Sequence, residues 1–375
     1  MQKLNVGILF GGKSAEHEVS LQSALNVFDA IDRNKYAPIL IGIDKTGTWR
    51  SPSQDGAGRG DFILHRDDPA RIALNTKSAG VALLPESRGE LLYTDAALLK
   101  EERQTARIDV VFPILHGPSG EDGTVQGLLK LAGVPFVGTG VLGSAVGMDK
   151  DVMKRLLRDA GLPIGAFISL QSYDPIPDYK SVANRLGEPV FVKPANMGSS
   201  VGINKAHNEA EYHRAVREAF AYDSKIIIEE CIAGREIECS VLGNETVIAS
   251  VPGEVLSSGE FYSYNAKYLD ADGARLEIPA NLPPRTAALV QELAIKTFKT
   301  LSGEGLSRID FFLRPDGAPI INEINTMPGF TKISMYPKLW EASGVSYADL
   351  IDRLIELAIR RFEKEQRLKT SDVDA

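Results

Sequence analysis

An alternating pattern over residues 305–325 predicts a β-hairpin near the C-terminus. Polar and apolar residues alternate in Gly305–Leu313, as expected for a strand that buries one face. Residues 315–317, Pro-Asp-Gly, supply a turn, and residues 318–325 return as a second strand. Because hairpin strands pair directly, this pattern limits which side chains can meet across the pair.

Four polar residues of this hairpin can share one face. With a side-chain period of two, Arg308 and Asp310 point the same way on the first strand. Glu323 and Asn325 do so on the second strand. If the two faces coincide, two carboxylates and an amide oxygen converge beside a guanidinium, and such oxygen donors suit Mg²⁺. A solvated polar face of an edge hairpin is the alternative, but the Gly/Pro-broken polar loop at 325–331 favours a binding site.

The composition is that of a soluble, enzyme-sized protein. The chain has 375 residues, enough for two or three domains, and 43% of them are hydrophobic. A net charge of −8 and the lack of a Lys/Arg-rich arm argue against nucleic-acid binding. Cys231 and Cys239 have no metal or disulfide spacing and fit a reducing compartment. With no signal-like N-terminus and no apolar run of about 18 residues, we expect a cytoplasmic protein without membrane contact.

Hydrophobic periodicity predicts an α/β protein with three units. Residues 1–148 form an N-terminal α/β domain, residues 149–236 a central subdomain, and residues 237–375 a C-terminal domain that carries the hairpin. Residues 51–107 have weak periodicity, and we expect them to be excursions from the sheet. Other predicted elements are a strand at 134–137, a helix near 209–221, a strand at 225–231, a helix near 285–301 and a final helix at 347–365.

Two glycine-rich stretches compete as phosphate binders. Residues 138–143 spell G-x-G-x-x-G after a predicted strand, but no acidic residue closes a strand about 20 residues later, as a dinucleotide site requires. No P-loop sequence is present. Residues 193–202 fit better, because Lys193 ends an apolar strand and the Gly-Ser-Ser-Val-Gly loop offers backbone N–H groups and hydroxyls to phosphate oxygens. Lys150 and Lys267 could add positive charge for a triphosphate, although each could equally be an ordinary surface lysine.

Further motifs make the pattern specific. They are residues 11–20 (GGKSAEHEVS), 115–123 (LHGPSGEDG), 228–232 (IEECI) and 322–330 (NEINTMPGF). In this order they resemble the ATP-grasp superfamily and, within it, the D-alanine–D-alanine ligases, over residues 2 to about 365. The resemblance implies an α/β (α+β) ATP-grasp fold with an N-terminal open parallel-sheet domain of the Rossmann-like, pre-ATP-grasp type.

The resemblance also implies a nucleotide and metal site. Asp310, Glu323 and Asn325 would hold two Mg²⁺ ions, for which Mn²⁺ could substitute. Glu236 would bind the ribose hydroxyls, since a carboxylate can accept two hydrogen bonds. Lys267 would reach the γ-phosphate. The full set of implied ATP contacts is Lys150, Lys193, Ser199, Ser200, Glu229, Glu230, Cys231, Ile232, Glu236, Lys267, Asn322 and Glu323.

For the first D-alanine, the resemblance implies that Glu16 accepts the ammonium group. Ser199 and Tyr268 would form a hydrogen-bonded group with Glu16, and His116 would lie nearby. A loop carboxylate and a half-buried core tyrosine are the plain alternatives for Glu16 and Tyr268, and only the joint pattern favours catalysis.

For the second D-alanine, the resemblance implies contacts from Ser334, through the substrate carboxylate, and from Met335. Arg308 and the backbone N–H of Gly329 would stabilise the oxyanion that forms when the second amine attacks an acyl phosphate of the first D-alanine.

The implied protein is a homodimeric ligase that uses ATP and D-alanine to supply a peptidoglycan precursor. D-alanine–D-lactate and D-alanine–D-serine ligases are the nearest alternatives. In the depsipeptide-forming relatives a histidine occupies the position that resembles Tyr268, so the pair Lys267-Tyr268 favours dipeptide formation. A nicotinamide-dependent oxidoreductase built on residues 138–143 is more remote. The intact set of Arg308, Asp310, Glu323 and Asn325 counts against an inactive nucleotide-binding regulator.

Overall fold

The computed structural model describes residues 3–52, 62–65, 68, 71–94, 105–257 and 274–369. Within these ranges, helices pack against one mixed sheet and two antiparallel sheets, with a further short two-stranded ladder. The predicted α/β class is confirmed.

The first unit contains three parallel strands at one side of a seven-stranded sheet. Its elements are β1 (Leu4–Gly11), α1 (His17–Ala30), β2 (Tyr36–Ile43), β3 (Trp49–Ser51), β4 (Ile63–Leu64), β5 (Ala73–Leu74), β6 (Ala79–Leu83), β7 (Glu90–Tyr93), β8 (Thr105–Arg107), β9 (Val110–Ile114), α2 (Thr124–Leu131) and α3 (Val141–Met148). The sheet order is β8-β7-β6-β3-β2-β1-β9, and β1 runs parallel to both β2 and β9. The consecutive buried residues of β1 are typical of a strand covered on both faces.

The expectation that residues 51–107 leave the sheet was wrong for four short strands and right for β4 and β5, which pair only with each other in a separate ladder. β3, β6, β7 and β8 extend the sheet in antiparallel pairs, so the sheet is mixed rather than purely parallel. Each of these strands has three to five residues, which is too short for an alternating pattern to stand out from loop sequence. The strand predicted at 134–137 is reduced to one parallel bridge between Val111 and Phe136.

The second unit is an antiparallel sheet with the order β10-β13-β11-β12. Its elements are α4 (Lys150–Asp159), β10 (Phe167–Gln171), α5 (Tyr179–Leu186), β11 (Val190–Pro194), β12 (Asn204–Ala206), α6 (Glu209–Phe220) and β13 (Lys225–Glu230). Val192 and Ile228 face the core under α5 and α6. Because side chains alternate along a strand, Lys193 and Glu229 face the opposite side. The helix predicted near 209–221 is confirmed.

The third unit contains the predicted hairpin. Its elements are β14 (Arg235–Gly243), β15 (Val247–Ala249), β16 (Gly253–Ser257), β17 (Ala274–Glu277), α7 (Pro284–Thr300), β18 (Gly305–Leu313), β19 (Pro319–Asn325), α8 (Met335–Ala342) and α9 (Tyr347–Gln366). The strand order is β17-β16-β14-β18-β19, and β15 pairs with β14. Helix α7 buries Ala294 and Phe298 against Ile309 of β18.

Helix α9 follows the third sheet in sequence but packs against the first. Its Leu350, Leu354 and Ala358 recur every four residues and share one core with Val6 and Phe112. The division into units 1–148, 149–236 and 237–375 remains a prediction, since this core joins residues of the first and third units.

Close packing accounts for the glycines at 138–143. A Cβ at Gly138 would lie 2.8 Å from Met327 Cε, and one at Gly143 would lie 2.4 Å from the carbonyl oxygen of Ser302. Arg361 of α9 donates a hydrogen bond to the carbonyl oxygen of Gly138. This stretch therefore joins the first unit to the third, which disfavours a dinucleotide-binding role.

Candidate active site

A cleft of about 540 Å³ lies between the second and third sheets. Most of the predicted nucleotide contacts line it: Lys150, Lys193, Ser199, Ser200, Glu229, Glu230, Cys231, Ile232, Glu236, Asn322 and Glu323. Asp310 also lines the cleft, and Asn325 lies beside Asp310. Lys267 and Tyr268 lie outside the described residues.

Helix α4 brings two lysines into this cleft. Asp149 caps the helix by accepting hydrogen bonds from two backbone N–H groups of the first turn. Lys150 and Lys154, four residues apart, therefore lie on the same helix face. Lys150 Nζ donates to the carbonyl oxygen of Met197 at 2.7 Å and lies 3.6 Å from Glu323 Oε2, so it connects the Gly-Ser loop with the hairpin.

Glu229 is buried between two lysines. Lys154 Nζ lies 2.6 Å from Oε1 of Glu229, and Lys193 Nζ lies 2.6 Å from Oε2. Burial by itself raises the pKa of Glu229, but the two ammonium groups outweigh it and lower the pKa to about 2. At Lys193 burial lowers the pKa, and the attraction of Glu229 outweighs it, so the net pKa is raised. Glu229 is therefore held in its ionised form between the two ammonium groups.

The buried cluster predicts how stability depends on pH. In Glu229→Gln, two buried lysines lose their counterion, and we expect the free energy of unfolding at pH 7 to fall by about 3–5 kcal/mol. The folded pKa of Glu229 is about 2 and its ordinary value is 4.5, so the unfolded state binds more protons in this range and the stabilisation is lost as the pH falls from 4.5 towards 2. Urea unfolding from pH 7 to pH 3 should therefore show the wild-type advantage shrinking below pH 4.5. The exposed Glu218→Gln is the control, and a difference that stays constant over this range would contradict the assignment.

The Gly-Ser loop reaches across to the first unit. Ser199 Oγ donates a hydrogen bond to Glu16 Oε1. Ser199 and Ser200 have left-handed φ values of 51° and 61°. This conformation costs a non-glycine residue on the order of 1–2 kcal/mol, and such strain is concentrated in ligand-binding loops.

Glu16 and His116 meet because they follow parallel neighbouring strands. Glu16 comes after β1 and His116 after β9, and the carboxyl ends of these strands lie at the same sheet edge. His116 Nδ1 is 3.0 Å from the carbonyl oxygen of Met327, so Nδ1–H donates and Nε2 is left as an acceptor. Burial lowers the pKa of His116, and the charge of Glu16 opposes this only in part. The buried Nε2 has no hydrogen-bond partner among the described residues.

Glu121 accepts hydrogen bonds from the two loops next to His116, and the sequence analysis did not identify it as a site residue. Its Oε2 accepts from the N–H of Gly117 at 2.7 Å, and its Oε1 accepts from the N–H of Met327 at 3.0 Å. Burial and the nearby Glu16 raise the pKa of Glu121 to about 8 against the effect of these N–H groups. Glu121 thus ties the loop after β9 to the loop after β19. Its position in the Gly-Glu-Asp-Gly motif at 120–123 could have indicated that Glu121 belongs to the site.

The hairpin register confirms that its two polar faces coincide. Asp310 lies opposite Glu323, and Arg308 lies opposite Asn325. Arg308 donates to both carboxylate oxygens of Asp310, through Nε and Nη2, at 2.7 Å each. The amide nitrogen of Asn325 donates to Asp310 Oδ2 at 3.0 Å.

Glu238 is a second residue that the sequence analysis missed. On β14 it lies directly opposite Asp310, and its Oε2 is 2.8 Å from Arg308 Nε. The guanidinium is therefore held between two carboxylates. The spacing of Glu236 and Glu238, two residues apart on one strand, could have indicated a shared face.

The loop before α8 folds back on Ser334. Ser334 Oγ accepts from the N–H of Thr331 at 3.0 Å and lies 2.7 Å from Thr331 Oγ1. A Cβ at Gly329 would lie 3.0 Å from Ser334 Oγ, so Gly329 and Ser334 are neighbours. Met335 is the other residue predicted to contact the second D-alanine. Its side chain is buried and packs against Leu339.

The donor set of the hairpin suits Mg²⁺. Asp310 and Glu323 side chains keep 15% and 26% of their surface exposed, so both can reach an ion in the cleft. No cluster of three or more His, Cys, Asp or Glu side chains with metal-binding geometry occurs among the described residues. The proposed set has two carboxylates and an amide, which is the oxygen-rich mixture that Mg²⁺ prefers.

Comparison with known proteins gives the family. The family model "D-ala D-ala ligase N-terminus" matches residues 5–139, and "D-ala D-ala ligase C-terminus" matches residues 156–356. A D-alanine–D-alanine ligase of Shouchella clausii (strain KSM-K16) is 54% identical over 375 residues, which is 100% of both chains. The chain belongs to the D-alanine–D-alanine ligase family. The predicted resemblance is confirmed, and with it an ATP-dependent ligase.

Solved structures of similar proteins confirm the ATP-grasp fold of this D-alanine–D-alanine ligase family member. The D-alanine–D-alanine ligase from Coxiella burnetii is 36% identical with a TM-score of 0.84, and the match covers 98% of this chain and 97% of that one. A D-Ala:D-Ser ligase from Enterococcus faecalis is 34% identical with a TM-score of 0.82, over 95% of this chain and 100% of that one. Fold similarity therefore extends to relatives with different acceptors. None of the helices in the described ranges is long and apolar enough to cross a bilayer.

Proposed function

We propose that this ligase joins two molecules of D-alanine into D-alanyl-D-alanine and converts ATP to ADP and phosphate. The observation that carries the proposal is the hydrogen bond between Ser199 of the Gly-Ser loop and Glu16 of the first unit. This contact brings a carboxylate suited to an amino-acid ammonium group to the edge of a cleft whose lysines suit a nucleotide.

The first D-alanine binds through its ammonium group at Glu16 and His116. A protonated amine has three N–H donors, and the Glu16 carboxylate and the Nε2 acceptor of His116 offer matching partners. The neutral imidazole suits this role because a protonated one would repel the ammonium. Ser199 orients Glu16, and we retain Tyr268 as a further member of this group on the sequence resemblance alone.

ATP occupies the cleft with its base at residues 229–232 and its phosphates near Lys150 and Lys193. Ser199, Ser200 and the backbone of the Gly-Ser loop cover the phosphates, and Glu236 accepts hydrogen bonds from the ribose hydroxyls. The sequence resemblance adds Lys267 at the γ-phosphate. Lys150 donates to the carbonyl oxygen of Met197 in the Gly-Ser loop, which supports phosphates bound between this lysine and the loop.

Asp310, Glu323 and Asn325 would hold the Mg²⁺ ions that accompany ATP. When bound, Mg²⁺ neutralises charge on the phosphoryl group in transfer. Lys150 lies 3.6 Å from Glu323, which places a cation of the protein at the same end of the cleft.

The reaction has two steps, phosphoryl transfer to the first D-alanine and attack by the amine of the second. A carboxylate oxygen of the first D-alanine attacks the γ-phosphorus, the bond to ADP breaks, and an acyl phosphate forms. The ammonium group of the second D-alanine loses a proton to solvent, and the free amine then attacks the acyl carbon. Phosphate leaves with the original carboxylate oxygen, and the nitrogen releases a second proton to solvent as the amide forms. Arg308 and the N–H of Gly329 stabilise the intermediate oxyanion, since donors fixed in advance favour the developing charge.

Ser334 is assigned to the carboxylate of the second D-alanine, beside the backbone of Met335. We expect Ser334→Ala to raise the KM for the second D-alanine by about tenfold or more, because a hydrogen bond to a charged group is lost. The KM for ATP should change little. Initial rates with varied D-alanine and varied ATP check this. Thr331→Val removes the hydroxyl that contacts Ser334 Oγ and should raise the same KM by a smaller factor. Equal losses for ATP and acceptor in Ser334→Ala would refute the assignment.

A coupled assay for ADP release tests the proposed function. The purified protein receives ATP and Mg²⁺ with D-alanine alone, or with D-alanine plus D-lactate or D-serine, and the products are separated. We expect ADP release to depend on D-alanine and the main product to be D-alanyl-D-alanine, because relatives at 50–54% identity are named D-alanine–D-alanine ligases. Preferential formation of the ester or of D-alanyl-D-serine would reassign the acceptor. An ADP release rate that does not depend on D-alanine would refute the proposed ligase activity.

The cellular setting follows from the activity. The dipeptide is a precursor of peptidoglycan, its substrates are small cytoplasmic molecules, and we propose a cytoplasmic homodimer on the basis of the family resemblance. Light scattering on the purified protein measures the oligomeric state.

A further inference from the structure

Lys154 is a buried cation in the cleft that no motif of the sequence singles out. It is 2% exposed, and its Nζ lies 2.6 Å from Glu229 Oε1. Lys150, one helical turn earlier, lies at the Glu323 end of the cleft. Helix α4 therefore spans the site from the hairpin to β13, with Lys154 at the end away from the metal ligands.

The surroundings of Glu229 suit a purine ring. Glu229 pairs across the sheet with Phe167 on one side and Phe191 on the other. Lys154 Nζ lies 5.9 Å from the Phe167 ring centre, and Lys193 Nζ lies 5.8 Å from the Phe191 ring centre. The carboxylate thus stands between two aromatic side chains, each with one lysine over it.

Each of the two lysines contacts a different carboxylate oxygen of Glu229. Lys154 binds Oε1 and Lys193 binds Oε2, and each carboxylate oxygen has a second acceptor position. The carboxylate is fixed in orientation and remains able to accept from a ligand. Such an acceptor binds the exocyclic amine of adenine, whereas the carbonyl oxygen at the same position of hypoxanthine would face a negative charge.

We infer that Lys154 is a positioning residue that makes Glu229 selective for a 6-aminopurine nucleotide. This inference rests on the proposed use of ATP in the cleft. Lys154 acts through Glu229 and has no contact with the reacting groups, so it affects the choice of nucleotide rather than the chemical steps.

The test compares ATP with inosine 5′-triphosphate in Lys154→Met. We expect the ratio of kcat/KM for the two nucleotides to fall by about tenfold or more, because an oriented hydrogen bond to a charged acceptor is lost. The kcat at saturating ATP and the KM for D-alanine should stay within about threefold of wild type. Glu229→Gln should lower the ratio similarly, and the double variant should lower it no further, since both changes remove one interaction.

Arg158→Met is the matched control, because Arg158 is an exposed cation one turn further along α4, near the same Phe167 ring. It should leave the ratio unchanged. Thermal melting shows whether Lys154→Met is folded. If it is not, Lys154→Gln replaces it, and we then expect a smaller fall in the ratio, because the charge is removed while an N–H donor is kept. Equal losses for both nucleotides, or an unchanged ratio, would overturn the inference.

Calorimetric titration with ADP and inosine 5′-diphosphate separates this inference from the proposed ligase activity. Wild type should prefer ADP, and Lys154→Met should lose that preference even if no dipeptide assay succeeds. Equal affinity of wild type for both diphosphates would refute the role of Lys154. An ADP preference without D-alanine-dependent turnover would instead refute the proposed function.

Discussion

Asp310→Asn and Glu323→Gln are each expected to lower kcat by about 100-fold or more, because each removes a charged oxygen that compensates charge during phosphoryl transfer. The two carboxylates lie opposite each other on β18 and β19 and line the cleft. Their loss should weaken metal binding while the fold survives, since neither side chain belongs to the apolar core. Titration with Mn²⁺ in the presence of ADP, followed by electron paramagnetic resonance, measures binding directly, and rates over a range of Mg²⁺ concentrations measure its effect on turnover.

Asp316→Asn is the matched control, because Asp316 lies at the exposed turn of the same hairpin. It should leave both readouts unchanged. If both variants kept wild-type rates at limiting Mg²⁺, Asp310 and Glu323 would not be metal ligands.

Arg308→Lys is expected to lower kcat by about 100- to 1,000-fold, as is typical when an oxyanion donor is removed. The guanidinium is planar and binds both oxygens of Asp310, a geometry that an ammonium group cannot reproduce. Because the lost interaction forms in the transition state, the KM values for ATP and D-alanine should change much less than kcat. Steady-state rates with both substrates varied provide the measurement.

Arg360→Lys, an exposed change on α9, controls for the substitution itself, and thermal melting controls for folding. A large rise in KM with an unchanged kcat would indicate that Arg308 binds the ground state rather than the oxyanion. Loss of the folded state would show that its main task is to separate Glu238 from Asp310.

The local parts of the site could be predicted from the sequence. Alternation and a Pro-Asp-Gly turn are enough to place Arg308, Asp310, Glu323 and Asn325 on one face, and the observed register agrees. Strand-end residues such as Lys193 and the Gly-Ser loop are predictable for the same reason, since their signals lie within a few neighbouring residues.

The missed residues depend on contacts between distant segments. Lys154, Glu121 and Glu238 read as ordinary surface charges in their own helix, loop or strand. Only the packing of α4 on β13, of the loop after β9 on the loop after β19, and of β14 on β18 gives them partners. The short strands within residues 51–107 were missed for another reason, because three to five residues carry too little periodicity.

The roles of Lys267 and Tyr268 remain predictions, since both lie outside the described residues. Met335 was assigned to the acceptor, and its side chain packs against Leu339 in the core. The Met335 side chain therefore contributes to packing under α8.

The fate of the carboxylate oxygens tests the acyl-phosphate route most directly. The protein is incubated with ATP, Mg²⁺ and D-alanine that carries ¹⁸O in both carboxylate oxygens, and the released phosphate is analysed by mass spectrometry. We expect one ¹⁸O atom in each phosphate, because the bond from that oxygen to carbon breaks when the second amine attacks. Unlabelled phosphate, formed together with the dipeptide, would contradict an acyl-phosphate intermediate.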